Sequence, residues 1–272
     1  MFKDILVGQY VPGKSPIHKL NPMLKIILVI FYISALFYID KPISYAIFTV
    51  YTVFLIFISK IPFKMILRGV KPMLWIFIIT AVLNLFMTPG DTAVSIPVFG
   101  LNITIPNEGI KSSIKIIVRL LYLVMGTSLL TLTTSPLQLT DGIEKLLKPL
   151  KIIKVPSHEI AMMMTIAIRF IPTLSEETDK IIKAQTARGA DFETGNIMKR
   201  AKAMIPLIVP LFVSVFRRAD DLATAMDARC YNGGKNRTKM KESKINALDI
   251  KIAAIFVTAV AILIMAELFI EI

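Results

Sequence analysis

The chain is poor in the residues that most often carry chemistry. Cys230 is the only cysteine, which excludes an intramolecular disulfide. His18 and His158 are the only histidines, and they lie too far apart in sequence to show metal-ligand spacing. The opening residues, MFKDILVGQYVPGKSP, lack the apolar run and small-residue cleavage site of a secretory signal. The start of the chain is therefore expected to be retained and cytoplasmic. Acidic residues are also scarce, 19 against 32 Lys and Arg, which leaves a formal net charge of +13. No cofactor, resident metal or nucleic-acid partner is expected.

Apolar sequence is abundant. Hydrophobic residues make up 55% of the chain and the mean hydropathy is +0.67, more than one soluble core of this size requires. The polar residues must then be segregated along the chain, and they are. Apolar runs approaching bilayer thickness occupy Met23 to Ile39, Ile43 to Ser59, Pro72 to Met87, Ile114 to Thr134 and Ala247 to Ile270. These read as five spans. The second and third sit near the short limit of roughly 17 residues, so they call for a thinned bilayer or for extension into flanking residues.

Charge orients the spans. With the N-terminus inside, the inner segments carry Lys3, Lys14 and Lys19, then Lys60, Lys64, Arg68 and Lys71, then a long basic stretch after the fourth span. The outer connections hold only Lys41 and Lys111. That asymmetry predicts a multi-pass protein of the cell membrane with its N-terminus cytoplasmic and its C-terminus outside. Lys115 and Arg119 run against the trend. Asn84 and Arg119, within spans, are expected to pair between helices rather than conduct a solute. The outer connection with Val94, Ile96, Val98, Leu101, Ile103 and Ile105 reads as a short hairpin or as an irregular apolar loop.

Three segments follow: 1–134, 135–246 and 247–272, of which the second is a helical region outside the bilayer. It opens at the helix-start pair Ser135 and Pro136 with a short amphipathic helix carrying Leu139, Ile143, Leu146 and Leu150, closed by Pro149 and Pro156. A long helix from Ser157 to Arg188 is expected to kink at Pro172 and to end at Gly189. A second runs from Asn196 to Arg229. In it Ala201, Ile205, Ile208, Phe212, Val215, Ala219, Leu222 and Met226 recur at spacings of four and three, the pattern of a packing seam. Ile168, Ile171, Leu174 and Ile181 of the first helix are its expected partners. The three methionines Met162 to Met164 suit core filling or adaptable packing.

One short pattern closes both long helices. Ala184 to Gly189 and Ala225 to Cys230 both read Ala-x-x-Ala-Arg-small. Arg188 follows Ile181, and Arg229 follows Leu222, by one heptad, which places each arginine on its helix's packed face. A lone arginine there would be explained by the helix dipole, worth ~0.5 kcal/mol. Its repetition with flanking alanines points instead to a docking surface, because a guanidinium presents five donors in a rigid fork.

Two other motifs fail in context. Gly8, Gln9, Tyr10, Val11, Pro12, Gly13, Lys14 and Ser15 fit G-x-x-x-x-G-K-S, but Pro16 and Pro22 follow where a long helix is required and no α/β domain succeeds it. Asp220, Asp221 and Asp227, with Glu176, Glu177 and Asp179, raise the alternative of an intramembrane enzyme with a metal-diphosphate site at the cytoplasmic face. A D-D-x-x-D motif needs an acid where Thr224 stands, and Arg217 and Arg218 adjoin the pair. A solvated, salt-bridged face accounts for these charges.

RFIPTLSEETDKIIKAQTARGADF, Arg169 to Phe192, and PLIVPLFVSVFRRADDLATAMDARCYNGGKNRT, Pro206 to Thr238, resemble the transmembrane T component of energy-coupling factor transporters. GQYVPGKSPIHKLNP and LTTSPLQLTDGIEKLLKPLK resemble it too, in the same order, so the likeness spans the chain. These systems are ATP-binding-cassette importers of vitamins and transition-metal ions. The resemblance implies an all-α integral membrane protein of about five transmembrane helices with a cytoplasmic coupling domain of two long amphipathic helices and a shorter one. Its implied partners, besides the lipid bilayer, are a separate substrate-binding membrane S component and two ATPase subunits, and ATP hydrolysis is expected on those subunits rather than on this chain. By position, Ala187, Arg188 and Gly189 and then Ala228, Arg229 and Cys230 are the implied ATPase-docking residues. Cys230 stands where glycine is also frequent, and Asn21, Met23 and Leu24 stand where Asp, Arg and Thr are common.

Overall fold

The computed structural model describes residues 10–88, 92–98, 101–192, 194, 196–233 and 245–269. These fall into two compact units, one holding 10–142 with 245–269 and the other 143–233. The first is a helical membrane bundle. Its opening helices are α1 (Pro16–Lys19), α2 (Pro22–Tyr38) and α3 (Pro42–Ser59), each with proline in the first turn, where the missing N–H would have had no helical partner. Ser15 and Asn21 cap α1 and α2 through side-chain oxygens that accept from His18 N and Met23 N. The chain continues through α4 (Phe63–Val70), a 3-10 turn (Lys71–Met73) and α5 (Leu74–Met87), then strands β1 (Thr92–Val98) and β2 (Leu101–Pro106). Helix α6 (Asn107–Thr133) follows, and α10 (Ala247–Phe269) completes the bundle after the second unit.

Among the described residues, four helical stretches are long and apolar enough to cross a membrane: Pro42–Ser59, Phe63–Leu85, Asn107–Thr133 and Ala247–Phe269. The shorter apolar α2, with 17 residues, is the fifth element of the bundle. All five match the expected runs. The third is longer than its apolar core because the basic segment before it is helical. Ile66 and Val70 are buried while Lys64, Arg68 and Lys71 stay exposed, so α4 hides one face and shows its cations on the other.

With no water in a bilayer core, helix ends need partners from the protein. The bundle supplies them crosswise. Lys25 of α2 donates through Nζ to Thr133 O at the end of α6 (2.9 Å), and Arg119 of α6 donates through Nη2 to Ile39 O at the end of α2 (2.9 Å). The two antiparallel helices thus place a cation on each other's negative end. Acids serve the positive ends. Asp249 at the start of α10 accepts from Asn21 N (3.2 Å), and Glu267 near its other end accepts from Asp40 N and Lys41 N (both 3.2 Å). Arg119 therefore pairs between helices as expected, and its guanidinium also meets Asp40 Oδ1 at 3.2 Å. Asn84 does not: its Nδ2 donates to Thr80 O within its own helix, 3.0 Å away.

At the bundle centre Tyr32, Phe48, Tyr51, Tyr122 and Phe256 form an aromatic cluster, with ring centroids of Tyr32 and Phe48 4.8 Å apart and of Phe48 and Tyr122 5.4 Å apart. The Tyr32 hydroxyl lies 3.0 Å from Thr52 Oγ1 and 3.2 Å from Tyr122 O, which satisfies a phenol buried among apolar groups. Gly126 makes room for it. A Cβ there would lie 2.4 Å from Tyr32 Cε1.

The connection before α6 is a hairpin, which decides between the two readings of that segment. Val94 pairs with Ile105, Ile96 with Ile103 and Val98 with Leu101 in antiparallel register. Residues 99 and 100, between the two strands, lie outside the described residues.

Helix α7 (Pro136–Leu147) leaves the bundle from a full capping box: Gln138 N donates to Ser135 Oγ (3.3 Å) and Ser135 N donates to Gln138 Oε1 (3.1 Å). The second unit then holds a 3-10 segment (Lys148–Ile153) and two long helices, α8 (Ser157–Ala187) and α9 (Ile197–Ala228). They run continuously through Pro172 and through Pro206 and Pro210, and at 1.5 Å per residue each is about 46–48 Å long.

Candidate functional site

The repeated arginine motif is a repeated piece of backbone. Arg188 is the C-cap of α8, and Gly189 takes the left-handed conformation at φ +87. Gly189 N donates to Thr186 O (2.9 Å) and Ala190 N to Gln185 O (3.0 Å). That pair of bonds is a Schellman closure. At the end of α9, Cys230 adopts φ +54, its N–H reaches Asp227 O (2.9 Å), and Tyr231 N reaches Met226 O (3.0 Å). The two ends are the same motif. In each, alanine fills the last helical position, arginine the cap, and a small residue the left-handed position where a larger side chain is strained. Cys230 is thus the residue that fits that position less well than glycine.

Arg188 and Arg229 are both exposed, as are Ala187, Gly189, Ala228 and Cys230. This corrects the heptad reading, which placed the arginines on packed faces. The helices end one residue earlier, at Ala187 and Ala228, so the caps are carried clear of the α8–α9 contact. Each guanidinium projects from a terminus whose last carbonyls carry partial negative charge, beside alanines small enough to admit another surface.

The predicted seam of α9 is also displaced. Ala201, Ile205, Ile208, Phe212, Val215 and Ala219 are exposed, whereas Ala203, Leu207, Leu211, Ser214 and Arg218 are wholly or partly buried. From Leu207 onward the true face lies one residue earlier, about 100° round the helix, and meets the expected seam only at Leu222 and Met226. Polar bonds fix it. Glu177 of α8 accepts from Ser214 Oγ (2.5 Å) and from Arg218 Nη2 (3.0 Å), a double anchor that sets the rotation of α9. On α8, Ile168, Leu174 and Ile181 are partly buried as expected and Ile171 is exposed. Met163 and Met164 are exposed, with Met162 partly buried.

The remaining candidates fall elsewhere. Of the phosphate-loop lookalike, Gly8 and Gln9 lie outside the described residues, and Tyr10 to Lys14 form an irregular strap rather than a turn into a long helix. Ser15 is buried, its Oγ 2.6 Å from His18 Nδ1, while Lys14 is exposed. His18 Nε2 lies 3.0 Å from Val11 O, which makes it the protonated nitrogen and leaves Nδ1 to accept from the serine. Burial holds this imidazole below its usual range, opposed by the Val11 bond and reinforced by nearby Lys25. His158 pairs with Glu144 at 3.2 Å. Among the described residues no three His, Cys, Asp or Glu side chains gather as metal ligands. Asp220, Asp221 and Asp227 are exposed, and Glu177 is engaged by Arg218. Sequence reasoning passed over Lys25, Asp249 and Glu267, although an ionisable residue inside an apolar run was the available signal.

Over residues 13–240 the sequence matches the family described as cobalt transport protein, CbiQ. The energy-coupling factor transporter transmembrane protein EcfT of Clostridium kluyveri is 55% identical over 92% of this chain and 92% of its own length. The protein of the same name from Ruminiclostridium cellulolyticum is 50% identical over 98% of each chain. That of Bacillus subtilis is 42% identical over 97% of this chain and 98% of its own. A family match over most of the sequence and relatives aligned nearly end to end lead to one assignment: the chain belongs to the CbiQ family, as a T component of the energy-coupling factor transporter type.

Proposed function

We propose that this membrane protein is the coupling subunit of an importer for a vitamin or micronutrient. In this role it docks two ATP-binding-cassette subunits through Arg188 and Arg229, holds a separate substrate-binding S component in the bilayer, and leaves ATP hydrolysis to the ATPases. The N-terminus and residues 135–246 face the cytoplasm and the C-terminus faces outside. One observation carries the docking reading: two long helices end in the same Schellman closure with an exposed arginine at the cap. A pair of similar ATPases needs two like contacts. Force applied at a single contact would rotate the helix pair instead of moving the membrane portion.

A second surface supports the membrane partner. Ile205, Ile208, Val209, Phe212, Val215 and Phe216 leave one side of α9 apolar and exposed, with the rings of Phe212 and Phe216 6.2 Å apart. A continuous apolar face of this kind marks a protein or membrane contact. The S component is the occupant this role requires.

Site-specific crosslinking from positions 188 and 229 in the assembled transporter is the test. Each position is expected to capture a different ATPase subunit. Replacing either arginine by alanine removes a charge-assisted contact worth ~1.5–3 kcal/mol, which weakens assembly about tenfold or more. Capture of the same subunit from both positions, or normal assembly of the double alanine variant, would refute the two-point docking.

A further inference from the structure

Docking leaves the N-terminal strap unexplained, although its polar groups are bonded to three other parts of the bundle. Lys25 is 4% exposed. Its ammonium has three N–H groups and meets three acceptors: His18 O (3.2 Å), Thr133 O (2.9 Å) and Thr134 Oγ1 (3.2 Å). Val11 N donates to Leu132 O (3.0 Å), tying the strap to the same end of α6. Immediately beyond, α7 lies against the first turn of α2. A Cβ on Gly142 would stand 3.0 Å from the Pro22 carbonyl carbon and 3.1 Å from Met23 N, so any side chain there would press α7 away from α2 by at least a few tenths of an ångström.

The chain's return to the bundle is held by the same strap. Asp249, 5% exposed, accepts from Asn246 N (2.8 Å) and from Asn21 N (3.2 Å). One carboxylate thereby holds the amides immediately before both α10 and α2. In chain order, the second unit begins after Gly142 and ends before α10. Its exit and its entrance are both fastened to residues 11–25.

Burying an ammonium and a carboxylate carries a desolvation penalty that a methionine and a leucine of similar volume would avoid. Such groups are kept for the bonds they make. Given the coupling role inferred above, we propose that residues 11–25 form a clasp that joins both chain crossings to α2, with Lys25, Asp249 and Gly142 as its positioning residues. Motion imposed on the second unit then reaches the first span directly, instead of dissipating in the turns at 134–135 and 245–246.

The test uses the full transporter with its ATPases and ATP with magnesium as the probe, so no transported substrate is needed. Hydrogen exchange is compared with and without ATP in the parent complex, in Lys25→Met and in Gly142→Leu, alongside ATPase retention and hydrolysis. Lys25→Met removes the three bonds at similar volume, and Gly142→Leu forces α7 from α2 with every polar group in place. Both variants are expected to keep their ATPases and hydrolyse ATP, and to retain the ATP response in 143–233. Both are expected to lose it about fivefold or more in 10–142 and 245–269. An undiminished bundle response in both variants would overturn the clasp. So would loss of bundle protection in both before ATP is added, since the residues would then serve folding alone. If one variant does not accumulate, the other decides by the same criterion. Failure of the coupling role itself looks different, because the parent complex would then show no ATP response in either unit.

Discussion

The two Schellman closures make opposite demands on one substitution, which permits a signed test of how the two helix ends are built. Gly189 sits at φ +87 with nothing within 4 Å of the place a methyl would take, so Gly189→Ala meets no steric neighbour. Only the backbone penalty remains. The left-handed region disfavours an L-residue by roughly 1–2 kcal/mol, and alanine recovers about 0.4–1 kcal/mol by restricting the unfolded chain, leaving a net loss of about 1 kcal/mol. Cys230, already at φ +54, should gain the same amount when replaced by glycine. A change of 1 kcal/mol is about fivefold in an opening equilibrium. The relevant amides are those that close each turn: Gly189 and Ala190 in α8, Cys230 and Tyr231 in α9. Exchange measured on the full chain in detergent should show about fivefold faster opening at 189 and 190 in Gly189→Ala, and about fivefold slower opening at 230 and 231 in Cys230→Gly. Shifts of the same sign in both variants would refute the account, because they would place the effect in the side chains and not in the left-handed backbone.

Three further outcomes are expected. Gly126→Ala places a methyl 2.4 Å from Tyr32 Cε1, and Tyr32 is held by Thr52 and Tyr122, so overpacking should destabilise the bundle by about 1–3 kcal/mol, seen as a lower thermal midpoint in detergent. The strap should loosen in acid. His18 has a folded pKa below its ordinary 6.5, so the unfolded chain binds the proton first and stability falls as pH drops through that value; His18→Gln should flatten the dependence between pH of about 7.5 and about 5.5. For topology, an impermeant thiol reagent applied to intact cells should label a cysteine introduced at position 100 and spare Cys230 until permeabilisation. Labelling of Cys230 in sealed cells would reverse the orientation.

The sequence announces elements more clearly than faces. Apolar runs located all five helical stretches of the bundle, and the expected bounds of α8 and α9 fell within a residue of the observed ones. The segment from Lys60 to Lys71 looked like a basic loop because its charges are conspicuous, yet Lys64 and Arg68 share one side of a helix whose other side buries Ile66 and Val70. In α9 two apolar stripes run side by side, and hydrophobic spacing alone has no means of choosing between them. Glu177 makes the choice through Ser214 and Arg218, a pairing between residues 37 and 41 positions apart that no local pattern displays. The arginine motif was visible as a repeat, but the backbone turn behind it was not. Ala-x-x-Ala-Arg-small is the imprint of a turn in which the last residue must accept a positive φ. Lys25, Asp249 and Glu267 were hidden for a different reason: each is one polar residue in a long apolar run, and its importance lies in partners far along the chain.

The carboxylates of α10 also set an order of events during synthesis. Helices α2 and α3 are made early, yet the amides of Asn21, Asp40 and Lys41 find their acceptors on Asp249 and Glu267, which the ribosome adds more than 200 residues later. Until the final helix enters the bilayer, those three amides lack the carboxylate acceptors that α10 supplies, in a medium without water. An unfinished chain is therefore marked as unfinished by its own oldest segments. The last helix made therefore completes the polar bonding of the first two.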